Sequence, residues 1–242
     1  MGNITRWILD VRGIWEDQVS FHSSLQLAPE REPQILAFRH HCDRKMALGS
    51  FLLQKLWVYR HGVAWHDIHI LKDDHGRPWW QTEADYNISH QDGFVVLAGR
   101  DDGRRIGIDI VSTQSPSSSS TRIDDFSEVF TAIEMKHIHA AADPYTEFMK
   151  RWAIKEAYVK ATGSGLSKDF QQIEVQSIAV AQSSNYATIT VNGLPEDREA
   201  ADWQFELVHL DRMVIVTALA PPIDTRGPFQ WVSLDEIMNA AS

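Results

Sequence analysis

The chain has 242 residues, of which 43% are hydrophobic, and it carries a formal net charge of −10. This length predicts one or two domains with a large core, and the acidic balance argues against a nucleic-acid binder, which usually has a basic excess. The only cysteine, Cys42, excludes an internal disulfide, no apolar run reaches the roughly 18 residues of a membrane span, and the N-terminus lacks a signal-peptide pattern. We therefore expect a cytoplasmic protein that binds neither nucleic acid nor membranes.

The N-terminal half is predicted to contain several strands and one long helix. Residues 43–62 have a stripe of apolar side chains that ends near Gly62, as is typical of a helix. Gln91-Asp92-Gly93 has the composition of a tight turn. Strand-like alternation occurs in residues 6–11, in both arms of 86–99, and in 104–111. The low-complexity residues 112–122 are expected to form a surface loop.

The C-terminal half begins with a largely helical section. It runs into a helix over residues 147–161, which Gly163 and Gly165 are expected to end. Four strand patterns follow, in residues 173–180, 186–193, 203–210 and 213–220. The mixture predicts an α+β protein with two halves, residues 1–111 and 112–242.

The helix over residues 147–161 carries an unusual stripe. Trp152, Glu156 and Lys160 are four residues apart and therefore share one helix face. The pair Glu156–Lys160 has two interpretations when it is taken alone. It is either an exposed ion pair worth a few tenths of a kcal/mol, or two charges that project into a functional site.

Asp109 is the second informative residue, because it interrupts the aliphatic strand pattern of residues 106–111. Aspartate is depleted in strands, and the burial of its charge is costly unless a partner compensates it. The pattern therefore favours a cation or a metal ion beside Asp109. A solvated aspartate on an edge strand is the alternative.

Polar residues in the N-terminal half form two candidate phosphate sites. Asn87, Ser89 and His90 make a polar strand end, with a turn histidine satisfied by the backbone as the alternative. Residues 38–45 bring cations to a helix start, where phosphate commonly binds, although basic clusters are usually solvated. These cations are Arg39, Arg44 and Lys45.

Four short motifs in chain order resemble the signature of the 4′-phosphopantetheinyl transferases. They are Gly76-Arg77-Pro78, Asn87-Ile88-Ser89-His90-Gln91, Gly107-Ile108-Asp109, and Trp152-x-x-Lys155-Glu156-Ala157-x-x-Lys160. The likeness covers nearly the whole chain and is greatest to the fungal and animal enzymes of the Sfp-type class. It implies two similar α+β halves related by a pseudo-two-fold axis, an active site in the cleft between them, and a monomer.

The resemblance also implies a reaction. The family transfers 4′-phosphopantetheine from coenzyme A to a serine of an acyl or peptidyl carrier protein and releases 3′,5′-ADP. It uses Mg2+, with Mn2+ as an alternative. The chain has no nucleophile motif of its own, which agrees with a nucleophile supplied by the carrier. Whether the carrier belongs to fatty acid, polyketide, peptide or lysine synthesis stays open.

The resemblance assigns roles to the residues that match the family motifs. Asp109 and Glu156 would hold magnesium together with the phosphates of coenzyme A, and Glu156 would also take the serine proton. His90 and Lys160 would bind the pyrophosphate as further catalytic residues. Other residues would contact coenzyme A: Arg39, Arg44, Lys45, Gly76, Arg77, Pro78, Asn87, Ser89 and Lys155.

Two positions depart from the family pattern. Val111 stands where some relatives have a glutamate, so that Gln91 or a water would complete the metal shell. Cys42 stands where close relatives often have lysine or arginine, which leaves the contact with the 3′-phosphate in question. Arg39, His41 or Arg44 would compensate there.

Two other function classes stay open at this point. One is a magnesium-dependent phosphohydrolase that cleaves coenzyme A with water as the nucleophile. The other is a protein that binds coenzyme A or a carrier without catalysis.

A carrier protein that is acidic around its serine needs a local docking surface on an acidic enzyme. Residues 130–140 combine apolar and cationic side chains and are a candidate for it, together with Lys150 and Arg151. The alternative is that these residues pack into the core.

Overall fold

The computed structural model describes residues 4–74, 76–80, 84–115, 123–163, 170–180, 186–192, 203–223 and 227–242. The chain forms two compact units, Met1–Asp102 with Arg226–Ser242, and Gly103–Thr225. This division differs from the boundary predicted after residue 111. The strand Ile106–Ser112 pairs inside the second unit, and the C-terminal segment returns to the first strand of the chain.

The described residues contain both helices and strands, which confirms the predicted α+β class. The helices are α1 (Gln18–Leu25), α2 (Glu32–Leu36), α3 (His41–Arg60), α4 (Ala132–Ala140), α5 (Pro144–Thr162) and α6 (Leu234–Ala241). The strands are β1 (Ile4–Asp10), β2 (Leu71–Lys72), β3 (Pro78–Trp79), β4 (Asp85–Gln91), β5 (Phe94–Arg100), β6 (Ile106–Ser112), β7 (Glu174–Val180), β8 (Tyr186–Asn192), β9 (Gln204–Leu210), β10 (Met213–Leu219) and β11 (Gln230–Trp231). In these ranges no helix is long and apolar enough to cross a membrane.

Most predicted elements are confirmed to within a few residues. The two long helices are α3 and α5, and the predicted strands are β1, β4, β5, β6, β7, β8, β9 and β10. The sequence patterns missed α1, α2, α6 and the two-residue strands β2, β3 and β11. Gly163 ends α5 in a left-handed conformation, with φ of 67°. Gly165 and residues 116–122 lie outside the described residues.

The first unit has a four-stranded sheet in the order β11-β1-β5-β4. The antiparallel strands β4 and β5 are joined by Asp92 and Gly93, which have φ values of 48° and 83°. Two successive positive φ angles are the geometry of a two-residue hairpin turn that matches the sheet twist. The buried helix α3 packs against this sheet. The end of β4 leads directly into the tight turn at Asp92 and Gly93.

The second unit has a five-stranded antiparallel sheet in the order β6-β10-β9-β8-β7, and α5 lies against β6. Gly107 makes this close approach feasible. A Cβ atom at Gly107 would lie 2.5 Å from the backbone nitrogen of Ala161 and would overlap the carbonyl oxygen of Ala157. Asp109 shares this strand face with Gly107, because successive residues alternate sides. The missing side chain at Gly107 therefore brings Asp109 next to the polar stripe of α5.

Gly107→Ala is expected to destabilise the protein by about 3 kcal/mol, at the upper end of the usual cost of overpacking. The two obstructing atoms belong to the helix backbone and cannot rotate away. Urea unfolding measures the effect, and Gly13→Ala is the control, since a Cβ atom there meets nothing within 4 Å. If the two variants were equally stable, α5 would be able to shift away from β6 at little cost in free energy.

Candidate active site

Asp109 and Lys160 form an ion pair between β6 and α5. The ammonium of Lys160 donates to Oδ1 of Asp109 over 2.6 Å, and the side chains are 7% exposed for Asp109 and 28% for Lys160. β6 is the edge strand of its sheet, yet its aspartate is buried. The structure therefore favours the cation partner that the sequence predicted and argues against a solvated aspartate.

Glu156 lies one helical turn before Lys160 and is half-buried. Burial raises the pKa of Glu156, the nearby negative charge of Asp109 raises it further, and the positive charge of Lys160 opposes both effects. The charge of Asp109 thus acts on Glu156, and Lys160 lies beside both. Such an arrangement favours the binding of a proton or of another cation.

The described ranges contain no group of three or more His, Cys, Asp or Glu side chains that could enclose a metal ion. Magnesium is usually held by one or two carboxylates, with substrate phosphates and waters as the other ligands. Asp109 and Glu156 have the chemistry to hold such an ion, because a divalent cation would offset both the burial and the charge of Asp109 that raise the pKa of Glu156. The side-chain amide of Gln91, in the first unit, donates to Asp92 over 2.9 Å.

Trp152 supplies the apolar end of the stripe. Its ring lies about 6 Å from three other aromatic rings, those of Phe126, Phe148 and Phe170. This aromatic cluster fixes the middle of α5 within the second unit. Along this face of α5, the apolar side chain of Trp152 is therefore followed by the charged side chains of Glu156 and Lys160.

Lys155 is buried completely, although the sequence placed it among the coenzyme A contacts. Its ammonium donates to Oε2 of Glu134 over 2.7 Å and to the carbonyl oxygens of Val129 and Phe170 over 2.9 Å each. A lysine ammonium has three donors, and these three acceptors use all of them. This placement argues against a contact between Lys155 and coenzyme A. Lys155 is instead an internal brace, which means that it links α5 to Glu134 of α4 through a buried ion pair.

The first unit has a pocket of about 630 Å³ at the start of α3. It brings together three predicted residues, Lys45, His90 and Gln91, with Cys42 and Arg12. Lys45 donates to the carbonyl oxygen of Arg12 over 3.0 Å. The lining also contains the carboxylates of Asp43 and Asp92, so that the cations at this helix start, where phosphate groups commonly bind, have acidic neighbours.

Other predicted coenzyme A contacts lie outside the lining of this pocket. Nε of Arg44 donates to the carbonyl oxygen of Phe38 over 2.7 Å, and Arg39 is exposed. The buried Arg77 pairs with Asp85 over 2.6 Å. Gly76 and Pro78 flank Arg77 in the chain.

Asn87 and Ser89 are buried on the sheet face opposite to His90, because odd and even positions of β4 point to opposite sides. The sequence analysis grouped these three residues as one strand end. The structure separates them, and only His90 lines the pocket at the start of α3.

The candidate docking segment, residues 130–140, divides into a buried and an exposed part. Phe130 is buried, and Met135 packs against it. Ile133 is 51% exposed, with Lys136 exposed beside it on α4. Arg151 is buried and paired with Glu147, which removes it from any surface.

Comparisons with known proteins identify the families that the chain resembles. The family model described as the 4′-phosphopantetheinyl transferase superfamily matches residues 105–218, and the model for the N-terminal part of 4′-phosphopantetheinyl transferases matches residues 15–102. A crystal structure of holo-[acyl-carrier-protein] synthase from Thermotoga maritima aligns with 48% of this chain and 62% of that chain, at 19% identity and a TM-score of 0.35.

Several relatives carry the name L-aminoadipate-semialdehyde dehydrogenase-phosphopantetheinyl transferase. The Schizosaccharomyces pombe protein is 30% identical over 68% of this chain and 70% of its own length, and the human protein is 27% identical over 91% and 71%. The two family models together reach into both units of the chain. The predicted class of enzyme is confirmed, and the chain belongs to the 4′-phosphopantetheinyl transferase family.

Proposed function

We propose that this protein transfers the 4′-phosphopantetheine group of coenzyme A to a serine of a carrier protein and releases 3′,5′-ADP. The observation that carries the proposal is the juxtaposition of Asp109, Glu156 and Lys160 where α5 meets β6. The family membership of the chain supports the same reaction.

The proposed role of Glu156 is that of general base for the carrier serine. A carboxylate with a raised pKa is a better proton acceptor than an ordinary one, and general-base catalysis is most efficient when the pKa approaches the operating pH. The serine oxygen then attacks the phosphorus that carries the pantetheine group, and the bond from that phosphorus to the 3′,5′-ADP oxygen breaks. The proton of the serine is left on Glu156.

Lys160 is proposed to stabilise the negative charge of the phosphates during transfer. Its side chain is 28% exposed, so that a phosphate oxygen can reach the ammonium that now contacts Asp109. Asp109 and Glu156 would hold magnesium, which neutralises charge on the phosphates when it is bound. The cations of the pocket at the start of α3 are proposed to bind other phosphate groups of the donor.

The intact mass of a carrier domain tests the proposal. The first carrier to try is that of an L-aminoadipate-semialdehyde dehydrogenase, because the relatives are named for it. Incubation with coenzyme A, magnesium and this protein should add one phosphopantetheine unit to the carrier, and the omission of coenzyme A is the control. Cleavage of coenzyme A without any carrier would support the phosphohydrolase instead. Binding of coenzyme A without cleavage or transfer, across a panel of fatty acid, polyketide and peptide carriers, would support the non-catalytic binder.

Asp109→Asn is expected to raise the magnesium concentration for half-maximal transfer at least about tenfold, since it removes a charged ligand. It also removes the anionic partner of Lys160. A magnesium titration of the transfer rate measures the change. Asp211→Asn, at an exposed turn of the same unit, is the matched control. An unchanged magnesium dependence of Asp109→Asn would exclude Asp109 as a ligand.

A further inference from the structure

Arg12 is a cation of the pocket at the start of α3 that is not among the site residues predicted from the sequence. It follows the first strand and lies outside the four motifs that resemble the family signature. In the structure it lines the pocket with Lys45 and His90, whereas Arg44 donates to the backbone of Phe38. Arg12 therefore lines this pocket, and Arg44 does not.

The guanidinium of Arg12 is held in one orientation by its neighbours. Nε and Nη2 donate to the two carboxylate oxygens of Asp10, over 2.9 and 2.7 Å. The guanidinium carbon lies 4.0 Å from the centre of the Phe94 ring, a cation–π contact. A planar guanidinium fixed in this way loses little conformational freedom when a ligand binds.

The stem of Arg12 crosses the hairpin turn between β4 and β5. A Cβ atom at Gly93 would overlap the Cγ atom of Arg12, so the stem needs a glycine at this turn. The carbonyl oxygen of Arg12 also accepts the hydrogen bond from the ammonium of Lys45. The backbone of Arg12 thus places Lys45, and its side chain adds a second cation to the same pocket.

We propose that Arg12 is a specificity-determining residue that, together with Lys45, binds the 3′-phosphate of coenzyme A. The inference rests on the proposed function, which supplies coenzyme A as the donor. A phosphate monoester carries close to two negative charges at neutral pH, and a guanidinium binds its oxygens through two parallel hydrogen bonds. Because Asp10 offsets part of the charge of Arg12, and Asp43 and Asp92 also line the pocket, the dianion requires the second cation, Lys45.

The proposal predicts a selective loss of affinity. Isothermal titration of the whole protein with coenzyme A and with 3′-dephospho-coenzyme A, without carrier, measures it directly. Arg12→Gln should weaken the binding of coenzyme A about tenfold and the binding of the dephospho form less than about twofold. Arg12→Lys should fall between wild type and Arg12→Gln, because it keeps the charge and loses the planar fork.

Arg31→Gln is the matched control. Arg31 also stacks on a phenylalanine of the first unit, with its guanidinium carbon 5.3 Å from the Phe51 ring, but it does not line the pocket. The Arg31→Gln substitution should leave the affinity for coenzyme A and for 3′-dephospho-coenzyme A unchanged. The melting temperature of Arg12→Gln should equal that of wild type, since the Arg12 side chain is 52% exposed.

Three results would overturn the assignment. They are an unchanged affinity of Arg12→Gln for coenzyme A, an equal loss for both donors, and a wild-type protein that binds both donors equally well. None of these measurements depends on transfer to a carrier. A wild-type protein that binds coenzyme A but modifies no carrier would contradict the proposed function. The affinity measurements on Arg12→Gln would still test the role of Arg12.

Discussion

Glu156→Gln is expected to lower the rate of phosphopantetheine transfer about 100-fold or more, a typical contribution of a general base. The amide keeps the shape of the side chain but accepts no proton from the carrier serine, and it is a weaker ligand for magnesium. Single-turnover transfer, followed by the intact mass of the carrier, measures the change. Glu128→Gln, at an exposed position of the same unit, is the control and should retain the wild-type rate.

The same substitution is expected to preserve or increase stability. Burial and Asp109 raise the pKa of Glu156 above its ordinary value of 4.5, so the native protein binds this proton more tightly than the unfolded chain does. Protonation of Glu156 therefore adds to the free energy of unfolding. This stabilisation is complete below pH 4.5 and is lost as the pH rises through the native pKa. At neutral pH the neutral amide avoids the buried charge. Near-wild-type transfer by Glu156→Gln would exclude Glu156 as the general base.

Lys155→Met is expected to destabilise the protein by about 3–5 kcal/mol, the usual cost of the removal of one partner from a buried ion pair. Both side chains of the pair Lys155–Glu134 are 0% exposed. Burial lowers the pKa of Lys155, and the hydrogen bond and the charge of Glu134 oppose this shift. Without the ammonium, the buried carboxylate has no compensating charge.

Denaturant unfolding of a double-mutant cycle isolates the pair. Lys155→Met combined with Glu134→Gln should cost less than the sum of the two single substitutions, because the double variant buries no unpaired charge. The cycle does not remove every role of Glu134, which also accepts from the backbone of Thr131 and Val175. Lys136→Met, exposed on α4, is the control. If Lys155→Met cost no more than this control, the proposed brace between α4 and α5 would be rejected.

Part of the arrangement of charges in the second unit could be predicted from the sequence. A four-residue spacing on a helix places Glu156 and Lys160 on one side, and an aspartate among aliphatic residues requires a partner. Both are local properties of a helix or a strand. The structure agrees with them, because Lys160 is the partner of Asp109, 51 residues away in the chain.

The faces of β4 were also readable from the sequence, since strand residues alternate sides. Asn87 and Ser89 could have been separated from His90 on this basis alone. They were grouped because they are neighbours in the chain and belong to one motif. The helix period likewise places Lys155 off the stripe, but it does not reveal what covers Lys155.

The sequence by itself determined the order and type of the long elements and the shared helix face of Glu156 and Lys160, because each depends on local spacing, and its motifs carried the resemblance to the family. Only the tertiary structure decided which charges are buried and which line a pocket. Lys155 became an internal brace because Glu134 and two carbonyl oxygens approach it from other elements. Arg12 became a pocket residue because β1 ends beside the turn at Gly93 and the start of α3. Such approaches between distant segments depend on packing, and no local pattern records them.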